Sequence, residues 1–144
     1  FNMRMDGIQA AVLSHKLKHL NLMNDRRREI AKRYMEEIVN PCIKMQKTPE
    51  AAVHAHHLFV ISVPERENFI KHLYERNIEC AVHYRVPCHL QKVFSSLGYK
   101  PGDLPNSEYL AEHCVSLPMY PELYDDEVSR IIGACNSFSG GSIQ

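Results

Sequence analysis

Apolar residues recur at steps of three and four along the first forty positions, at Ile8, Val12, Leu13, Leu17, Leu20, Met23, Ile30, Tyr34 and Ile38. That is the period of a helix face, and it predicts one long helix over residues 6–39, straight or kinked. Asp6 stands where an acid favours a helix N-terminus. Asn40-Pro41 closes the helix, because proline disfavours α conformation in the residue before it. The run Arg26-Arg27-Arg28 falls inside it with Glu29 beside it, and reads as a solvated charged face.

After an irregular stretch at 41–56, the period changes. The apolar, β-branched run His57–Val63 predicts a strand covered on both faces. Pro64 stops it and starts a helix over 65–76, with Phe69, Ile70 and Leu73 inward and Asn77 as the left-handed residue at its end. From Ile78 to Tyr84 the side chains alternate. Ile78, Cys80, Val82 and Tyr84 point one way, and Glu79, Ala81 and His83 the other. This predicts a second strand, which Pro87 ends. A short helix over Leu90–Leu97 and a Gly- and Pro-rich loop over 98–105 follow. Asn106 or Ser107 caps a helix to about Cys114, with Glu108 as a first-turn acid. Val115–Leu117 reads as a short strand and Pro118–Pro121 as a rigid connector. Asp125 caps a last helix with Val128, Ile131, Ile132, Cys135 and Phe138 inward.

This order predicts an α+β domain of two layers, a small mainly antiparallel sheet with helices on one face. Residues 1–40 form the long helix, 41–138 the compact α/β unit, and 139–144 a flexible tail. The first helix is too long for so small a sheet to cover, so it is expected to pack on another domain or subunit.

Composition narrows the function. The chain has 144 residues, 44% hydrophobic and 24% charged, which suits one soluble globular unit. Lys+Arg and Asp+Glu are 17 each, so no net field marks a nucleic-acid partner. No apolar run approaches a membrane span and no signal pattern is present, which makes the cytoplasm the expected location. Cys42, Cys80, Cys88, Cys114 and Cys135 are odd in number and widely spaced, so reduced thiols are expected rather than a disulfide framework. The chain opens at Phe1 without an initiator methionine, and a longer protein is expected around it.

Four groups of residues offer chemistry. His54 and His56 share a face if the stretch is extended, but no carboxylate or HExxH pattern stands in register, and no metal is expected. Cys88 beside His83 and His89 resembles a thiolate–imidazole pair, with no third orienting group and no oxyanion hole in view. Asn2 and Arg4 flank the start of the first helix, where backbone N–H groups favour an anion such as a phosphate. An equally simple reading is that they cap the helix. Finally, His83, Tyr84, Arg85 and His89 are concentrated around Pro87, and suit an anionic or polyhydroxy ligand, with packing as the alternative use.

Five blocks in order carry a resemblance. They are Asn2-Met3-Arg4-Met5-Asp6-Gly7-Ile8-Gln9-Ala10-Ala11-Val12-Leu13, Asn24 to Tyr34 (N-x-R-R-x-x-I-A-x-x-Y), His57-Leu58-Phe59-Val60-Ile61, His83 to Gln91 (H-Y-x-x-P-x-H-x-Q), and Ser116 to Leu123 (S-L-P-M-Y-P-x-L). Together they resemble the DegT/DnrJ/EryC1/StrS sugar aminotransferases, pyridoxal-phosphate enzymes of the aspartate aminotransferase fold (fold type I). The resemblance implies that this chain is the C-terminal, small-domain portion. It implies a homodimer with the active site between subunits, and transfer of an amino group, usually from glutamate, to a nucleotide-linked keto-sugar. Cell-surface polysaccharide or antibiotic sugar synthesis is the implied setting.

The resemblance also distributes roles. The Schiff-base lysine belongs to a segment upstream of Asn2, and none of this chain's lysines stands in the family's lysine motif, so no catalytic residue is expected here. Asn2 and Arg4 match the segment that meets the partner subunit's cofactor phosphate. His83, Tyr84, Arg85 and His89 match the segment on the substrate side. Arg85 stands where many members have proline, Met23 where an aromatic is common, and Tyr124 where a Ser or Thr cap is usual. A non-catalytic binding or dimerisation module on the same fold is the alternative, and a thiol hydrolase using Cys88 is a third.

Overall fold

The computed structural model of the chain describes residues 4–49 and 51–141. Five α-helices and three strands follow in the order α1 (Gly7–Leu17), α2 (Leu20–Glu37), β1 (Lys44–Met45), β2 (Phe59–Ser62), α3 (Arg66–Tyr74), α4 (Pro105–His113), β3 (Cys114–Leu117) and α5 (Asp125–Asn136). Two 3₁₀ turns, Cys88–Leu90 and Lys92–Leu97, stand between α3 and α4. No helix among the described residues is long and apolar enough to cross a membrane.

The strands form one antiparallel sheet in the order β1-β2-β3. Phe59 pairs with Leu117, Val60 with Ser116, Ile61 with Val115 and Ser62 with Cys114. Because side chains alternate along a strand, this register sorts them by face. Phe59, Ile61, Val115 and Leu117 join one hydrophobic core with Ile30 and Tyr34 of α2, Phe69 and Leu73 of α3, and Val128, Ile131 and Cys135 of α5. The helical layer therefore covers one face of the sheet, as the α+β reading expects. Val60 and Cys114 look to the other side, where they line an open cleft.

The predicted long helix is two helices. At Lys18 and His19 the backbone bonds shorten to i→i−3, with Lys18 N–H on His15 O and His19 N–H on Lys16 O, and α2 restarts at Leu20. Periodicity left a kink open but did not place it, because Leu17 and Leu20 stay in step across the break. α2 stops at Glu37, and Ile38 is already extended. Asn40, expected to end that helix, is buried and serves α5 instead. Its amide donates to the carbonyls of Cys135 and Phe138, both at 2.8 Å.

The predicted strand Ile78–Tyr84 reduces to one bridge. Ala81 exchanges both backbone bonds with Ser116, at 3.2 and 2.8 Å, and the chain then leaves the sheet. β1 lies in the stretch read as irregular. Asn77 does take the left-handed conformation, with φ 56°, after α3. α4 begins at Pro105, ahead of Asn106 and Ser107, and Tyr124 rather than Asp125 holds the N-cap position of α5.

α1 stands apart from this core. None of its residues is buried, and Ile8, Val12, Leu13 and Leu17 are all more than half exposed. Leu13, Leu17, Leu20 and Met23 line an apolar groove of ≈510 Å³ along α1 and the start of α2.

Candidate functional site

The cleft on the sheet face away from the helices has a volume of ≈550 Å³. The segment that follows the Ala81–Ser116 bridge supplies one wall. There the side chain of His83 turns back to β3, with Nδ1 2.9 Å from the Ser116 hydroxyl. Tyr84 stands edge-on to His83, ring centres 5.5 Å apart, and is 74% exposed at the rim. The peptide joining these two residues is cis.

Pro87 redirects the chain into the first 3₁₀ turn, which carries His89 into the wall. His89 is buried, with Nε2 3.0 Å from Glu108 Oε1 and its ring edge-on to Tyr99 at 6.0 Å. Val60, Phe94 and Leu104 give the remaining surface its apolar character. The arrangement presents imidazole and phenol groups above apolar walls, which suits a ring-bearing ligand with hydroxyls rather than a bare ion.

Of the four residues expected on the substrate side, the structure brings His83, Tyr84 and His89 to this cleft. Arg85 points elsewhere. Its guanidinium donates to Glu67 Oε1 at 2.6 Å, and Arg66 Nε meets the same oxygen at 3.1 Å. Arg85, with Arg66 next to it, holds the Glu67 carboxyl below the usual carboxylate range. Arg66 also donates to the carbonyl of Ala111. Arg85 is thus tied to the N-terminal turn of α3, beside the cleft and not within its lining.

The residues expected at the cofactor phosphate are placed differently. Asn2 lies outside the described residues. Arg4 is exposed two positions before Asp6, which is the N-cap of α1, and it does not line the cleft. Cys88 lines the cleft and is exposed, but the ring nitrogens that make hydrogen bonds in His83 and His89 go to Ser116 and Glu108. The thiol therefore has no hydrogen-bonded imidazole base. Among the described residues, no group of three His, Cys, Asp or Glu side chains is placed to hold a metal ion.

Sequence reasoning missed Glu108, Ser116 and Tyr99 as the partners of the cleft histidines. Each reaches its histidine across 10 to 33 positions of chain. Glu108 left a signal as a first-turn acid, and Ser116 as the first residue of one of the five blocks.

Comparison with known proteins bears on this geometry. A model of the DegT/DnrJ/EryC1/StrS aminotransferase family matches residues 1–136. A dTDP-3-amino-3,6-dideoxy-alpha-D-galactopyranose transaminase of Aneurinibacillus thermoaerophilus is 42% identical over 137 residues, which are 95% of this chain and 37% of that protein. The spore coat polysaccharide biosynthesis protein SpsC of Bacillus subtilis is 34% identical over 99% of this chain and 39% of its own length. Among solved structures, DesV of S. venezuelae superposes with a TM-score of 0.90 at 34% identity, over 92% of this chain and 36% of that one. This chain thus spans little more than a third of the length of the relatives it matches.

Proposed function

As this chain belongs to the DegT/DnrJ/EryC1/StrS aminotransferase family, we propose that it forms the substrate-side C-terminal part of a pyridoxal-phosphate-dependent aminotransferase acting on a nucleotide-linked keto-sugar. The observation that carries this reading is the convergence of His83, Tyr84 and His89, three residues of one family-like block, on a single cleft. The transaminase relatives support the reaction class, and the fold, with fold type I sugar aminotransferases as its structural neighbours, supports the placement.

In this reading the imidazoles of His83 and His89 hydrogen-bond ligand hydroxyls, and Tyr84 supplies a flat wall and a phenol at the rim. The apolar floor excludes water from the sugar face. Arg85 lies close enough in sequence to Tyr84 to take an anionic diphosphate when it leaves Glu67. Glutamate is the amino donor, and polysaccharide or antibiotic sugar synthesis in the cytoplasm is the setting.

The fit to the cofactor is one-sided. Among the described residues no lysine lines the cleft, so no side chain there can form a Schiff base with an aldehyde. Asn2 and Arg4 are this chain's contribution to the phosphate, delivered to a partner subunit in a homodimer. When bound, the cofactor supplies the electron sink for amino transfer.

The test is expression of the longer protein that contains this chain, and of residues 1–144 alone. The longer protein is expected to aminate a keto-sugar nucleotide with glutamate. Residues 1–144 are expected to show neither aldimine absorbance nor transamination, since the covalent lysine lies elsewhere. Robust transamination by residues 1–144 would overturn the reading, as would a longer protein with no lysine able to take the cofactor.

A further inference from the structure

Glu108 stands behind the cleft wall, bonded to His89 and to the loop before α4, and the function proposed above does not use it. Its two carboxylate oxygens accept the backbone N–H of Gly102 at 2.9 and 2.8 Å, and one of them accepts that of Leu104 at 3.2 Å. The local reason is plain. α4 starts at Pro105 behind Leu104, whose side chain cannot accept a hydrogen bond, and the acid of the first turn reaches back to the N–H groups of Leu104 itself and of Gly102 in the loop before it. The same carboxylate lies 3.0 Å from His89 Nε2.

These bonds fix a proton. The backbone N–H of Gly102 foremost, with His89 and Leu104 behind it, holds the Glu108 carboxyl below the usual range. An ionised carboxylate only accepts, so the His89 ring must carry its hydrogen on Nε2. In the neutral ring Nδ1 is then a bare acceptor. It has no hydrogen-bond partner among the described residues, and His89 lines the cleft. Burial and the Tyr99 edge leave the ring little freedom to turn.

We propose that Glu108 is a positioning residue for the ligand site, holding His89 so that Nδ1 accepts a hydrogen bond from a hydroxyl or amide N–H of the bound sugar nucleotide. The proposal rests on the sugar-nucleotide reading for the identity of the ligand, and on geometry alone for the state of the ring. It separates Glu108 from a loop anchor, because an anchor needs only an acceptor for Gly102 and Leu104.

Glu108→Gln distinguishes the two roles. With its amide oxygen in the place of Oε2 the glutamine keeps the bond from Gly102 and gives up that from Leu104, while the amide N–H₂ in the place of Oε1 meets His89, makes Nε2 the acceptor and moves the ring proton to Nδ1. In the intact enzyme KM for the sugar nucleotide is expected to rise about tenfold, the loss of one hydrogen bond. kcat is expected to stay within about twofold, as for an interaction made equally in ground and transition states. Ring ¹⁵N spectra, with His89 assigned by difference from His89→Ala, should show Nε2 protonated in the unaltered protein and Nδ1 protonated in Glu108→Gln. An unchanged KM, or an unaltered protein with Nδ1 protonated, overturns the proposal. Should Glu108→Gln fail to fold, His89→Ala leaves the loop bonds of Glu108 intact. It is expected to raise KM by a similar factor, and an unchanged KM again overturns the proposal. If the intact enzyme ignores sugar nucleotides altogether, the functional reading fails, and the ring spectra still decide the positioning role.

Discussion

Tyr34 donates its hydroxyl hydrogen to the carbonyl oxygen of Pro118 at 3.0 Å, joining α2 to the connector that follows β3. The Tyr34 ring is fully buried and meets Phe59 edge-on, with centres 5.0 Å apart. Burial pushes the phenol well above its ordinary range, so it stays a neutral donor at any working pH. Tyr34→Phe strands the Pro118 carbonyl and is expected to lower stability by about 1 kcal/mol. Tyr34→Ala also opens a cavity and should lose about 3–5 kcal/mol. Urea denaturation with a constant m-value measures both. A Tyr34→Phe variant as stable as the parent would show that the hydrogen bond contributes nothing.

Arg85→Ala tests the substrate side. Arg85 and Glu67 are 55% and 63% exposed, so the pair is screened by solvent and its loss should change stability by about 0.5 kcal/mol or less. In the intact enzyme KM for the sugar nucleotide is expected to rise by about tenfold or more, with cofactor absorbance unchanged. Glu67→Gln weakens the hold on Arg85 without removing it and should lower that KM. If Arg85→Ala destabilises the fold and leaves KM alone, Arg85 is a structural residue only.

Much of this was legible in the chain, for a physical reason. Buried faces write their period into the sequence, so Ile30 and Tyr34, or Val128, Ile131 and Cys135, announced their helices. The site was half legible. His83, Tyr84 and His89 could be picked out by residue type, and they do meet in one cleft. Their partners could not. Ser116 and Glu108 are ordinary residues in their own elements and gain meaning only through a hydrogen bond across the fold. The strand expected over Ile78–Tyr84 shows the opposite error. Alternation reports which way side chains face, not whether a neighbouring edge is there to pair, and only Ala81 finds one.

Arg26 supplies a pH test. It donates to Asp125 and to the carbonyl of Leu123, each at 2.8 Å, and its bond holds the Asp125 carboxyl below its ordinary value. A carboxyl depressed in the folded state stabilises above the unfolded value and loses that contribution as pH falls through the folded one. The protein should therefore melt above Asp125→Asn at neutral pH, by a margin that holds down to about pH 4 and closes below it. A margin unchanged at pH 2 would show that charge is not its source.

Thiol reactivity should separate the five cysteines. Cys42, Cys114 and Cys135 are buried, and burial pushes Cys135 up to about 12 and Cys80 up to about 11. Thiols raised that far carry almost no thiolate at pH 8. One equivalent of an aromatic disulfide reagent is expected to react quickly with folded residues 1–144, all of it at exposed Cys88. Cys88→Ser should remove that phase and, in the longer protein of the proposed reading, leave amino transfer within about twofold. Lost activity would revive the thiol-hydrolase reading.

The exposed face of α1 has a consequence for order itself. An eleven-residue helix that buries none of its side chains has only local propensity behind it, and that is marginal in water below about 12–15 residues. α2 is different, because Ile30, Ala31 and Tyr34 anchor it in the core. Amide exchange in residues 1–144 should therefore be slow around Tyr34 and near the free rate along Gly7–Leu17. A surface that covers Leu13 and Leu17 would supply the missing support. Slowed exchange at the α1 amides would then serve as a built-in gauge of assembly, readable without any substrate or cofactor.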